Sequence, residues 1–473
     1  MKKSILYSSL LALTTLAAAQ TAGNDSSVGG MGLSNAHAGT GGLNAQNVDK
    51  LKLAWKFQAP GYVSHSPLVE GGQVYFADWS GNAYAVNAAS GQLTWKKSLE
   101  QPVKAFPWHG FAGTGALGQG MLFEASVEGY AFGLDRTTGE VKWKTDFVPE
   151  SQYGGSISTL LYHGGLVYIG VSSVEEAVAG AMKRAGKPFA PSFRGKVVAL
   201  DAASGKIVWE KSLVPAPGNG VAMWGSFALD PASNTLFFAT GNNYSGKSTD
   251  LSDSIVAVNG KTGETVWATQ ATAFDVWTPA TPTGPDVDFA AGPNLFSAQV
   301  GGQSRDFVGI GQKNGIYWAL DRRSGEIVWK HTVGYSGVGG GVRAEASVAG
   351  GKVYVWSNNS FDDTTQLNPA EFPINVKAID GGSGSLIWAR PKVMAAGATG
   401  AGYLSNDIYL VGTLSGLIKA FRTSDGQVVW TSGSHPSIAS SLVVSGDQLF
   451  FGTGVPARFS GQGEGMIYAY TTR

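Results

Sequence analysis

Short apolar runs of strand length recur along this chain, each entered from a Gly-Gly turn, as in Gly71-Gly72-Gln-Val-Tyr-Phe, Gly164-Gly165-Leu-Val-Tyr-Ile and Gly350-Gly351-Lys-Val-Tyr-Val. Such runs read as β-strands. A second pattern follows each of them: a small residue, Asp or Asn two places on, Ser or Thr then Gly, and Trp four residues later, for example Ala85-Val-Asn87-Ala-Ala-Ser90-Gly91-Gln-Leu-Thr-Trp95. It ends at Trp95, Trp143, Trp209, Trp267, Trp329, Trp388 and Trp430. The pattern is a hairpin, because the acidic side chain caps its own turn and Gly supplies the positive φ that closes it. Gly133 replaces Ala in the second copy, and Arg422 and Asp425 replace the Asp and Ser/Thr in the last.

Each unit is a meander of about four strands that cannot bury its own faces and must stack on a neighbour. The chain ends complete the count. Leu53-Ala-Trp55-Lys-Phe has the Trp strand without its hairpin partner, and Met466-Ile-Tyr-Ala469-Tyr has the partner without the Trp strand. Joining them predicts an all-β, eight-bladed β-propeller closed by its N- and C-terminal strands, with no free sheet edge. The predicted organisation is a leader over 1–19, an N-terminal arm over 20–50 and the propeller over 51–473.

Composition agrees, since 67 Gly and 11% aromatic residues in 473 suit a turn-dense β protein. A net charge of zero with no basic run argues against nucleic acid and anionic membranes as partners. Lys2 and Lys3, the apolar run from Ile5 to Leu16 and Ala17-Ala18-Ala19 form a cleavable signal peptide, so a periplasmic or secreted protein is expected. No second long apolar stretch exists, so no membrane span is expected. The absence of Cys removes disulfides, a lipidated N-terminal Cys, thiolate metal sites and Cys-x-x-Cys-His haem attachment.

The eleven-residue repeat resembles the tryptophan-docking motif of pyrroloquinoline quinone (PQQ) dehydrogenases over almost the whole mature chain. In that family the motif braces blades, and it also occurs in a non-enzymatic propeller, the outer-membrane assembly lipoprotein. Function therefore rests on residues that break the repeat. Trp224-Gly-Ser-Phe, with Thr240-Gly241-Asn242 downstream, is similar to the family's quinone-floor Trp and its Ca²⁺-binding Asn. Gly170-Val-Ser172-Ser173-Val-Glu175-Glu176 is similar to the segment whose Ser contacts the quinone and whose Glu binds Ca²⁺. Register favours Glu175, with Glu176 adjacent.

The long loop from Phe274-Asp275-Val-Trp277 to Gly284-Pro-Asp286-Val-Asp288 resembles the segment carrying the catalytic base, with Asp286 favoured and Asp288 open. Gln312-Lys313-Asn314-Gly315 offers Lys313 as the cation beside the quinone. The resemblance implies PQQ and Ca²⁺ as cofactors, an alcohol as substrate, and an external electron acceptor such as cytochrome c. The vicinal cysteines that cap the quinone in well-known members are missing. The segment with Phe106, Trp108 and His109 offers no Arg for the quinone carboxylates, so His65 and His109 are candidates to stand in. The Val-Ser-Ser-Val-Glu-Glu-Ala and Asp-x-Asp-Phe segments look most like polyvinyl alcohol dehydrogenases, implying a secondary or polymeric alcohol. The competing expectation is a cofactor-free propeller that binds protein partners.

Overall fold

The computed structural model describes residues 31–39, 41–99, 109–148, 153–173, 175–281, 284–337, 339–359, 373–394, 397–455 and 464–473. The predicted leader, the predicted arm before residue 31, and Phe106 and Trp108 lie outside the described residues.

Eight antiparallel four-stranded sheets form the ring, as the repeat predicts. Blade one is typical: Leu68–Glu70, Gln73–Ala77, Asn82–Asn87 and Leu93–Ser98 pair in sequence order. First strands of neighbouring blades touch one another around the axis, while the Trp strands lie outermost and are largely exposed. Blade eight is built from both ends of the chain. Val443–Ser445, Gln448–Thr453 and Met466–Thr471 are completed by Lys52–Gln58, with Trp55 opposite Ala469.

The repeat's residues work across the seam between blades. Each Trp indole N–H donates to a backbone carbonyl in the next blade's turn: Trp55 to Ala88, Trp95 to Arg136, Trp143 to Ala202, Trp209 to Gly260, Trp267 to Arg322, Trp329 to Gly381 and Trp388 to Thr423. The turn glycine meets the same indole. Gly91, Gly139, Gly205, Gly263, Gly325, Gly384 and Gly426 all have φ between 70° and 74°. A Cβ at any of them would stand 2.5 to 2.8 Å from the Trp ring of the preceding blade. Glycine is thus required twice there, by backbone conformation and by contact. Trp430 has no such turn ahead of it, because Met466–Thr471 and Lys52–Gln58, the last two strands of blade eight, are not joined by a hairpin. Its strand instead contacts the 3₁₀ turn Val48–Lys50.

Residues 33–37 form a strap across the first strands of four successive blades. Carbonyls of Leu33, Ser34, Ala36 and His37 accept from the backbone N–H of Leu229, Leu295, Val348 and Leu404 at 2.8 to 2.9 Å. Ala38–Gly39 then pairs in parallel with blade seven at Leu404 and Ser405. Asn35 Nδ2 donates to Ser226 Oγ (2.7 Å) and Pro293 O (3.0 Å). His37 Nε2 contacts Asn35 Oδ1 at 3.0 Å and lies 3.9 Å from a Glu345 carboxylate oxygen.

Burial lowers the His37 pKa from 6.5 to about 4, against a smaller upward pull from Glu345. Unfolded His titrates near 6.5, so between pH 6.5 and 4 the unfolded chain binds the extra proton. His37 therefore withdraws stability as pH falls, by about 3 kcal/mol over that window. The difference in unfolding free energy between the native protein and His37→Gln is expected to shrink by this amount from pH 7 to pH 4. A constant difference in denaturant titrations would contradict it.

Candidate functional site

Loops that enter first strands deliver the side chains of the site. Trp224 precedes Ala228–Asp230, Asp288 precedes Asn294–Val300, and Arg343 precedes Ser347–Ala349. Lys313 comes from the hairpin between Gln303–Gly311 and Ile316–Asp321, which Gly315 closes at φ 81°. The Lys313 backbone N–H donates to Asp288 O at 3.3 Å, so the two loops are joined before their side chains meet.

Lys313 Nζ lies 2.8 Å from Asp286 Oδ1 and 2.6 Å from Asp288 Oδ1. Asp288 Oδ2 accepts from the Trp224 indole N–H at 3.1 Å, and the ammonium sits 5.2 Å from the centre of the Trp224 ring. Asp286, Asp288 and Lys313 are buried, while Trp224 stays partly open to solvent. The loop bearing the aspartates is pinned by Asp275, whose carboxylate accepts from Val287 N (2.7 Å) and Trp277 N (2.9 Å). From below, Glu345 Oε1 accepts from Ser226 Oγ (2.6 Å) and Gly292 N (3.0 Å), tying the loops of Trp224, Asp288 and Arg343 to one carboxylate and, through Asn35, to the strap.

Three buried charges in one place must share protons. Burial pushes Asp286 well above the usual carboxylate range, and the negative Asp288 adds to this against the pull of Lys313. Burial also opposes ionisation of Asp288, but Lys313 and hydrogen bonds from Asp286, Lys313 and Trp224 outweigh it and hold its pKa low. Within the pair the surroundings therefore favour the proton on Asp286 and the negative charge on Asp288. Lys313 stays charged, since the two carboxylates outweigh its desolvation. Asp275 is raised to about 6, chiefly by burial. Asp253 is raised further, by burial and by Asp275 and Asp288, and neither of its carboxylate oxygens has a hydrogen-bond partner.

Arg343 joins this group, although the motifs did not reveal it. It lies within electrostatic reach of Asp286 and Asp288, and its buried Nε has no acceptor. The only sequence signal is its place, four residues ahead of a first strand, which is also where Trp224 stands.

The other candidates fall into two groups. Ser172 Oγ donates to Met223 O at 3.1 Å and accepts from Ile157 N, so it supports the residue next to Trp224. Asn242 Nδ2 donates to Trp277 O (2.7 Å) and Asn243 O, and Gly241 beside it lies against Asp288. Glu175, by contrast, begins helix α1 (Glu175–Arg184) and turns to its own insertion. Its carboxylate accepts from Ser192 N (2.6 Å), Ser192 Oγ (2.9 Å) and Phe193 N (3.0 Å), and burial raises its pKa. Glu176 occupies the same helix.

His65 is buried between Ser66 O, Gly115 N and Glu124. His109 pairs with Glu128. Both therefore have partners of their own. Glu175→Ala is expected to cost about 1 to 3 kcal/mol through the three donors it leaves unpaired, read as a shift in denaturant midpoint. An unchanged midpoint would mean that the carboxylate does not hold the insertion.

A family model described as outer membrane protein assembly factor BamB matches residues 45–250 and 374–471, and one described as the β-propeller domain of glucose/ethanol/alcohol dehydrogenase matches 214–334. A polyvinylalcohol dehydrogenase of Sphingopyxis sp. (strain 113P3) is 28% identical, covering 91% of this chain and 69% of that protein. The chain belongs to the PQQ alcohol dehydrogenase-like β-propeller family. The dehydrogenase subunit of a quinone alcohol dehydrogenase from Gluconobacter oxydans is 27% identical over 60% of this chain and 41% of that protein. A europium-containing methanol dehydrogenase superposes with a TM-score of 0.78 at 18% identity, covering 95% of this chain and 98% of the other, which shows the shared fold. The match to the dehydrogenase model spans Trp224, Asn242, Asp286, Asp288 and Lys313.

The residues present suit a planar, anionic quinone. Trp224 offers a partly open indole face, and Lys313 and Arg343 are the adjoining cations, the latter with an unused buried donor. The donor set expected for Ca²⁺ is not assembled in the same way. Glu175 is committed to Ser192 and Phe193, and among the described residues no three acidic or histidine side chains converge to hold a metal ion.

Proposed function

We propose that this protein is an exported, PQQ-dependent alcohol dehydrogenase acting on a secondary or polymeric alcohol, and that it passes electrons to an external acceptor such as cytochrome c. The observation that carries the reading is the buried Asp286–Lys313–Asp288 group beneath the open face of Trp224. Burying the charges of Lys313 and Asp288 costs several kcal/mol per ion before pairing, an expense that stability alone does not require. The similarity to a polyvinylalcohol dehydrogenase supports the substrate class. The signal peptide read from residues 1–19 supports export, and among the described residues no helix is long and apolar enough to cross a membrane.

PQQ, bound against Trp224 with Lys313 and Arg343 near its anionic groups, would supply the two-electron acceptor. The chain's part is proton chemistry. Asp288, held ionised by Lys313 and Trp224, accepts the hydroxyl proton of the alcohol. Asp286 keeps the pair's resting proton, and Lys313 offsets the charge that remains. The loop register favoured Asp286 as the base, whereas the charge distribution supports Asp288. Ca²⁺ at Asn242 and Glu175 would require the carboxylate to leave Ser192 and Phe193.

The BamB-type match supports a second reading, a propeller that binds protein partners without a cofactor. The test is to add PQQ, with and without Ca²⁺, to the purified protein and record its absorption, followed by reduction of an artificial acceptor with a secondary alcohol. A bound-quinone spectrum with alcohol-dependent turnover is expected. Neither appearing would leave the scaffold reading.

A further inference from the structure

One hydrogen bond recurs where neighbouring first strands meet. The residue two places before a first strand donates its backbone N–H to the side chain at the same position of the next blade. Ala401 donates to Ser441 Oγ at 3.1 Å, Ser441 to Ser66 Oγ at 3.0 Å, and Ser66 to Thr114 Oγ1 at 3.0 Å. A short hydroxyl side chain is enough for each of these seams. Where blade five meets blade six, the acceptor is Glu345, which takes the N–H of Gly292 at 3.0 Å. The other seven blades carry Ser, Thr, Gly or Ala at this position, so the ring itself does not call for a carboxylate there.

Glutamate is longer than the seam requires, and its reach is used. The same Oε1 accepts from Ser226 Oγ at 2.6 Å, so one oxygen joins equivalent positions in blades four, five and six. These blades deliver Trp224, Asp288 and Arg343, which stand two, four and two residues from Ser226, Gly292 and Glu345. The bond from the Trp224 indole to Asp288 Oδ2, 3.1 Å, crosses the seam that Glu345 closes from below. Backbones are in contact here: a Cβ on Gly225 would stand 2.7 Å from Ala291 O, and one on Gly292 1.9 Å from Ser226 Oγ.

The strap feeds the same oxygen. Pro293 O can only accept, so the Asn35 amide turns Nδ2 toward it (3.0 Å) and toward Ser226 Oγ (2.7 Å). Ser226 then directs its own proton to Glu345. On the other side, Asn35 Oδ1 takes the proton of His37 Nε2, which leaves Nδ1 bare, and that buried atom has no partner. From His37 through Asn35 and Ser226 to Glu345, every bond donates in one direction, and bonds so aligned polarise one another. Asn35 and His37 also hold left-handed backbones, φ 52° and 46°, a conformation kept where the surroundings impose it.

We propose that Glu345 is a positioning residue that fixes Trp224 and Asp288 relative to each other, and that Asn35 of the strap holds it to that task. That these positions serve alcohol oxidation rests on the function proposed above.

Glu345→Ser gives blade six the hydroxyl that serves other seams, so its thermal midpoint should stay near native, but it cannot reach Ser226. Asn35→Gly removes the amide while glycine keeps the left-handed backbone without strain. Glu345→Gln retains an oxygen able to accept both donors and is the conservative rescue. Position is read without cofactor by ¹⁹F NMR of protein labelled with 5-fluorotryptophan, the Trp224 signal being assigned by its loss in Trp224→Phe. That signal should shift or broaden in Glu345→Ser and Asn35→Gly. It should stay native in Glu345→Gln and in Trp95→Ala, a destabilising change in blade one, across the ring. In protein loaded with PQQ and Ca²⁺, kcat for a secondary alcohol should fall about 10- to 100-fold in the first two variants and stay within about threefold in Glu345→Gln, since small misplacements of reacting groups cost on the order of 10²-fold. A native Trp224 signal in both Glu345→Ser and Asn35→Gly would overturn the proposal, as would an equal change in Trp95→Ala. A displaced signal in a protein that turns over no alcohol would uphold the positioning and sink the dehydrogenase reading. Turnover with kcat unchanged in both variants would overturn the proposal and leave the dehydrogenase reading standing.

Discussion

Asp288→Asn is expected to lower kcat for a secondary alcohol by about 10² to 10⁴-fold, the usual share of general-base catalysis, while Asp286→Asn lowers it by much less. Burial, with the negative Asp288 beside it, favours the protonated form of Asp286, whereas Lys313 and Trp224 favour the charged form of Asp288. Asparagine at 286 therefore presents what Asp286 already presents, a neutral group beside Lys313. At 288 it removes the anion. The single variants are not independent, because the two groups titrate as a pair. With Asp288 neutralised, Asp286 loses its repelling neighbour, keeps the ammonium at 2.8 Å and ionises in its place.

Residual activity in Asp288→Asn should accordingly show a changed acid limb in its pH profile rather than the native one at reduced height. Replacing both aspartates would leave Lys313 buried without a counter-charge, at a cost of about 3 to 5 kcal/mol. Stopped-flow reduction of bound quinone by alcohol reads the chemical step directly. If Asp286→Asn proved the more damaging change, the base would move to Asp286. Full activity in both variants would remove the loop from the reaction.

The ring was legible because each residue of its repeat has one job with one solution. Asp or Asn caps the hairpin, as Asp135 Oδ1 does by accepting from Thr137 N and Thr138 N, Gly takes a φ near 70°, and Trp reaches the next blade's turn. Even the degenerate last copy keeps the geometry: Arg422 O accepts from Gly426 N at 2.7 Å where other copies use an Asp or Asn carbonyl. The strap was illegible for the opposite reason. Leu33, Ser34, Ala36 and His37 bind through backbone carbonyls, which every sequence offers, so no side-chain pattern marks them.

The site divides along the same line. Trp224, Asp286, Asp288 and Lys313 stand in motifs and meet in space. Arg343 follows a run of glycines with no local partner, and its role emerges only when blade six is placed against blade five. Glu175 shows the limit of motif register. Its segment suggests a ligand on a loop, but the chain begins a helix there and the carboxylate binds the returning end of its own insertion.

Removing Lys52–Gln58 is expected to have the largest effect on the fold, abolishing soluble, cooperatively unfolding protein. This strand pairs with Met466–Thr471 along its length, and its loss turns the latter into a bare edge inviting association with other chains. It also removes Trp55, whose indole donates to Ala88 O at 2.9 Å, and Phe57, which packs edge-on against Phe76 and Tyr84. The seam between blades eight and one would lose its docking tryptophan and this aromatic packing. A finer measurement separates the docking pair from the strand. Trp→Ala at a buried aromatic site costs about 3 to 5 kcal/mol, and Trp55→Ala and Trp209→Ala should both fall in that range. Trp430→Ala should cost clearly less, because Trp430 is only half-buried and faces a 3₁₀ turn in place of a docking hairpin. Chemical denaturation of the three variants decides the ranking. Equal costs would mean that these tryptophans act only as bulk and that the seam does not depend on the turn they dock into.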